Sequence, residues 1–110
     1  MFSEQLFDLL LNFGDSWKVD QVKVDFIKEE VDIFMIYIGT EAECPESFEL
    51  CSIYDHRASR RWRHLDTMQF KTYINCEVPR VKSSKGVRTI KVPWADNFER
   101  HSYLFERLAI

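Results

Sequence analysis

The chain is predicted to fold as a small α+β domain, and three observations predict it. Apolar residues recur at helical spacing near both ends, they alternate with a period of two in between, and a stretch around two cysteines follows neither period. The 110 residues suit a single domain (1–110), large enough for a modest core and too small for two. It divides into a helix plus hairpin over 1–40, a knuckle with a second hairpin over 41–95, and a helix over 96–110.

Phe2, Leu6, Leu9, Leu10 and Phe13 share one helical face, with Ser3 as N-cap and Gly14 as the stop. From Trp17 the period becomes two, and Val22, Val24 and Phe26 line one side of a strand. Ile27 to Glu30 form a polar break, and Val31 to Gly39 reads as an apolar second strand, which completes an antiparallel hairpin. Residues 40–53, with Cys44, Pro45 and Cys51, read as a loop or knuckle. A short strand is predicted from Trp62 to Asp66. Thr72 to Val78 alternates, placing Ile74, Cys76 and Val78 on one face, and Ser83-Ser84-Lys85-Gly86 turns the chain into a partner strand from Val87 to Val92. Pro93 ends it. Asp96 then caps the last helix, with Glu99 placed for a capping box and Phe98, Phe105 and Leu108 as its apolar face.

Composition narrows the function classes. Hydrophobic residues at 45% and charged residues at 30% exclude a disordered chain. No apolar run is long enough to cross a bilayer and Met1 is not followed by a basic segment, so a cytoplasmic protein without a membrane partner is expected. Three cysteines make no disulfide framework and suit a reducing compartment. The net charge of −3 conceals an asymmetry: residues 1–50 carry twelve Asp/Glu against three Lys/Arg, and residues 51–110 carry six against twelve. A basic face on an acidic back suits a protein that grips a polyanion on one side.

The basic residues concentrate around one tryptophan. Arg57, Arg60, Arg61 and Arg63, with His56 and His64, surround Trp62, and Lys71, Arg80, Lys82, Lys85, Arg88 and Lys91 follow. Arginine suits bidentate contact with phosphate and guanine, and lysine a looser phosphate attraction. Strand alternation buries Trp62 while displaying Arg61 and Arg63 on the other side, and it sets Arg88 opposite Lys91, so these cations do not all line one groove. The competing reading is a plain solvated surface. On the nucleic-acid reading the candidate contact residues are Arg57, Arg60, Arg61, Arg63, His64, Arg80, Lys82 and Lys85.

Metal and catalytic chemistry find less support. Structural zinc takes two close ligand pairs, whereas Cys44-Pro45-Glu46-Ser47 offers serine where the second cysteine would stand. Cys44, Cys51 and His56, with His64, make an improvised alternative set, but the expectation is no cofactor. Cys76 lies on an apolar strand face and reads as packed. There is no glycine-rich phosphate loop and no nucleophile elbow, and neighbours such as Asp55 and His56 point apart in a strand, so no enzyme is expected.

Tyr54-Asp55-His56-Arg57, Arg61-Trp62-Arg63-His64-Leu65-Asp66, Tyr73, Val78-Pro79-Arg80-Val81-Lys82 and Val92-Pro93-Trp94-Ala95 together carry a resemblance over nearly the whole chain. They resemble the N-terminal region of the ISL-three family of bacterial insertion-sequence transposases. The resemblance implies a zinc-finger-like DNA-binding end, with a C-P-x-C-G motif before the Tyr54 segment and a second ligand pair after Lys82. Here Ser47 replaces the second cysteine of the first pair, and Ser83-Ser84-Lys85-Gly86 is one residue shorter than the second pair and holds no ligand. Cys44 is the one match among four expected ligands. The family's helix-turn-helix and metal-dependent catalytic domain lie downstream of such a segment and are not among these residues. The expectation is therefore a truncated, non-catalytic, metal-free DNA-binding domain with a degenerate zinc-ribbon-like knuckle. The alternative is a protein-interaction or dimerisation module, pairing with itself or with a full-length transposase, or a non-functional remnant. Dimerisation would use the apolar Val31–Ile38 strand or the first helix.

Overall fold

The computed structural model describes residues 14–95, and these are built from strands alone. The expected α+β class does not hold: eight strands make two four-stranded sheets, with no helix among the described residues. The helices predicted over 2–13 and 96–110 lie outside the described residues.

The first sheet has the order β1 (Trp17–Asp25), β2 (Glu30–Tyr37), β6 (Phe70–Cys76), β5 (Arg60–Thr67). β1 and β2 form the expected hairpin, closed where Asp25 Oδ1 accepts from the amides of Ile27 and Lys28 and Glu29 takes a left-handed φ of 53°. β5 and β6 form a second hairpin, and β6 pairs with β2 in parallel. β2 thus has both edges occupied, which leaves no free edge for the strand expected to mediate dimerisation.

The second sheet has the order β3 (Glu41–Glu43), β4 (Leu50–His56), β7 (Pro79–Ser83), β8 (Gly86–Thr89). It forms from two excursions out of the first sheet. β3 and β4 lie between β2 and β5 in the chain, and β7 and β8 follow β6. The predicted pairing of Thr72–Val78 with Val87–Val92 is corrected accordingly: the Ser83–Gly86 turn joins β7 to β8, while Phe70–Cys76 pairs with β5 and β2. Gly86 sits at φ 98°, a left-handed conformation that glycine adopts without steric cost.

Register explains the core. Across the first sheet one inward row runs Val22, Ile33, Ile74, Trp62, and the next runs Val24, Val31, Thr72, His64. Val31, Ile33, Ile74 and Trp62 are fully buried. Residues 90–95 cover this face, where the Trp94 ring packs edge-on against Trp17 (5.0 Å) and Trp62 (5.4 Å). From the second sheet Ala42, Cys44 and Val81 join the same core. No helix among the described residues is long and apolar enough to cross a membrane.

Candidate nucleic-acid interface

The basic residues divide between the two sheets. On the outer face of the first, alternation places Arg61 and Arg63 opposite buried Trp62. Both guanidinium groups meet the Tyr73 ring, Arg61 at 3.5 Å from its centroid and Arg63 at 5.4 Å. Arg61 also forks onto Asp32 (2.9 and 3.0 Å) and reaches Glu30 at 3.3 Å, while Asn75 Nδ2 donates to the same Asp32. Arg63 pairs with Asp66 at 2.6 Å and donates to the carbonyls of His64 and Thr72. Arg60 lies 4.6 Å from the Trp62 ring centroid. These three arginines are engaged within the fold.

His64 points inward beside Thr72 and is only 7% exposed. Burial, assisted by the neighbouring Arg63 charge, holds its pKa down to about 4, so the imidazole is neutral at pH 7. It offers neither charge nor surface to a ligand.

On the second sheet, Arg80 and Lys82 alternate with buried Val81 and face outward along β7. Arg80 forks onto Asp55, its cross-strand neighbour on β4, and this pairing keeps the Asp55 carboxyl below the usual range. Lys82, Lys85 at the β7–β8 turn, and Arg57 just after β4 are exposed and make no ion pair among the described residues.

The two turns of this sheet come together. In the first, the amide of Cys44 donates to Glu49 O and that of Phe48 to Cys44 O, both at 2.9 Å, and Phe48 takes a φ of 63°. The Cys44 sulfur is buried and accepts from the Ser47 amide (3.5 Å) and from the Ser83 hydroxyl of the second turn (3.2 Å). These bonds, with the Ser47 hydroxyl foremost, outweigh burial and draw the Cys44 thiol down to about 7. Around them, Glu49 accepts from the Ser84 amide and hydroxyl, and Glu46 pairs with Arg88 at 2.6 Å.

This is a two-turn ribbon, each turn contributing to one small cluster at its tip. Residues 40–86 match the family model described as the zinc-finger of transposase IS204/IS1001/IS1096/IS1165. No curated protein and no solved structure matches the chain. The matched stretch is under half of the chain, and it takes in β5 and β6 of the first sheet as well as most of the ribbon.

The match suggests zinc, and the side chains present do not suit it. Only Cys44 offers a thiol at the tip, with the serines Ser47 and Ser83 beside its sulfur. The nearby carboxylates of Glu46 and Glu49 are bonded to Arg88 and Ser84, whereas structural zinc takes several thiolate, imidazole or carboxylate ligands on one ion. Among the described residues no group of three His, Cys, Asp or Glu side chains could hold a metal ion. The improvised set does not assemble either: Cys51 leans on Glu49 O, His56 is exposed at the end of β4 and His64 is buried in the first sheet. Cys76 is packed, and burial pushes its thiol up to about 12.

Sequence reasoning missed Ser83, Ser84, Glu46 and Glu49 as partners in the ribbon. The signal available was positional. Ser47 and Ser83 stand where the resemblance implies cysteine, and small hydroxyl residues there can hydrogen-bond where a metal would otherwise join the turns.

Proposed function

We propose that this chain is a DNA-binding domain of transposase type, supplying binding rather than strand transfer. The observation that carries the reading is the match of residues 40–86 to a transposase zinc finger, on a segment whose two turns converge as a ribbon. Cations that make no ion pair among the described residues support it: Lys82, Lys85 and Arg57 lie along the outer side and ends of the second sheet, with Arg80 between them. Arg60, Arg61 and Arg63 are engaged by aromatic rings or carboxylates, so they contribute less to phosphate contact. Nucleic-acid affinity of this kind is mostly counterion release, so it falls with added salt.

The test is fluorescence anisotropy of a labelled DNA duplex titrated with the chain over a salt series. Binding should weaken linearly in log–log form. Lys82→Ala with Lys85→Ala should reduce the slope by about two, and Arg61→Ala with Arg63→Ala should change it less. No binding at low salt would end the DNA reading, and a molecular mass that rises with concentration would favour the interaction module.

A further inference from the structure

We infer that the cluster at the ribbon tip is the remodelled ligand shell of a metal site, closed by hydrogen bonds and an ion pair in place of the metal. The inference does not depend on whether the chain binds DNA. Two serines at positions where a ligand would stand meet at the Cys44 sulfur, Ser47 through its amide and Ser83 through its hydroxyl, and Ser83 belongs to the opposite turn from the other two. A serine hydroxyl keeps its proton at neutral pH, so it donates to the sulfur where a cysteine thiolate would bind metal beside it.

The cluster is closed on both sides. Ser83 Oγ also accepts from the Lys85 amide at 3.1 Å, which fixes the hydroxyl toward Cys44. Glu49 spans from the first turn to the Ser84 amide and hydroxyl, and Glu46 spans to Arg88. Hydrogen bonding and charge hold Glu46 and Glu49 below the usual carboxylate range, so both stay ionised at neutral pH. The Ser83–Cys44 bond and both glutamate links join β3–β4 to β7–β8, the same two turns that a zinc ion joins in a ribbon.

Three measurements test this. Elemental analysis of the purified chain should find far less than one zinc per chain, and a chelator should leave its melting temperature unchanged. Stoichiometric zinc, with a fall in melting temperature on chelation, overturns the inference. Ser83→Ala should lower the melting temperature by about 5 °C, the loss of one net hydrogen bond in a domain of this size. An unchanged value removes the bond's role as a clasp. Ser47→Cys with Ser83→Cys should bind cobalt(II) with thiolate charge-transfer absorption absent from the wild type, circular dichroism confirming the fold. Failure of that folded variant to bind cobalt overturns the assignment of these positions as a ligand shell.

Discussion

The two sheets are held by different physics. The first buries alternate residues of four strands under Trp94, so Val31, Ile33, Ile74 and Trp62 lose essentially all contact with water. The ribbon contributes few large buried side chains and joins its two turns through Cys44–Ser83, Glu49–Ser84 and Glu46–Arg88. Burial in the first sheet scales with apolar area and is not screened by salt as an ion pair is. Each polar link in the ribbon is individually small and depends on a partner's geometry. A ribbon can thus lean on a neighbouring apolar core and still need a local device to fix its tip.

Disrupting the apolar side should cost the most stability. Trp62 is fully buried, with Arg60 against its ring, and its indole N–H has no hydrogen-bond acceptor among the described residues. Trp62→Ala should cost about 3–5 kcal/mol in urea unfolding, through lost burial and a cavity between β5 and Trp94. Trp62→Phe should cost much less, because it keeps most of the ring and removes an unsatisfied donor. If both sheets share one core, as the burial of Ala42 and Val81 with Trp62 indicates, Trp62→Ala unfolds the ribbon in the same transition.

The next effect is the pH dependence that His64 brings to the first sheet. His64 has its folded pKa depressed to about 4 from an ordinary 6.5, so below pH 6.5 the unfolded chain takes up a proton that the folded chain refuses. The stability that this neutral histidine contributes is therefore full above pH 6.5 and declines as pH falls toward 4, by about 3 kcal/mol over that window. Urea midpoints at about pH 7 and about pH 4.5 measure it. His64→Gln should flatten the part of the decline between those values that this residue causes, and an equal decline in the variant would remove His64 as its source.

How much of the fold was legible in the sequence follows from how local each feature is. The β1–β2 hairpin was readable because the period of two, the polar break and Asp25 are all neighbours. The β5–β6 hairpin was not, since its turn passes through Met68, at φ 58°, with no glycine, proline or asparagine to mark it. The parallel pairing of β2 with β6 joins segments about 40 residues apart and leaves no local trace. Along β6 Phe70, Thr72, Ile74 and Cys76 share a buried face as alternation implies, but Asn75 on the other face is buried too, and the partner strands are set by tertiary contact.

The candidate site divides the same way. Alternation correctly set Arg61 and Arg63 opposite Trp62. What it could not supply was the neutralisation of Arg61 by Glu30 and Asp32 across the sheet. The acidic first half and the basic second half read as two faces, yet Asp32–Arg61 and Glu46–Arg88 show that they partly cancel at contact.

The smallest effect sharpens the ribbon side. Phe48 follows Ser47 where the C-P-x-C-G pattern has glycine, and it holds a φ of 63° while remaining 67% exposed. A left-handed backbone costs a residue with a β-carbon about 1–2 kcal/mol, and a side chain this exposed recovers little of it by burial. Glycine removes that strain but adds freedom to the unfolded chain, an opposing term of about 0.5–1 kcal/mol. Phe48→Gly should therefore raise stability by up to about 1 kcal/mol in urea unfolding, with the Cys44–Ser83 bond intact. A loss of stability instead would mean that the Phe48 ring, which lines a cavity with Trp17 and Tyr37, braces the ribbon against the first sheet. The tip would then owe its position to apolar contact as well as to its polar links.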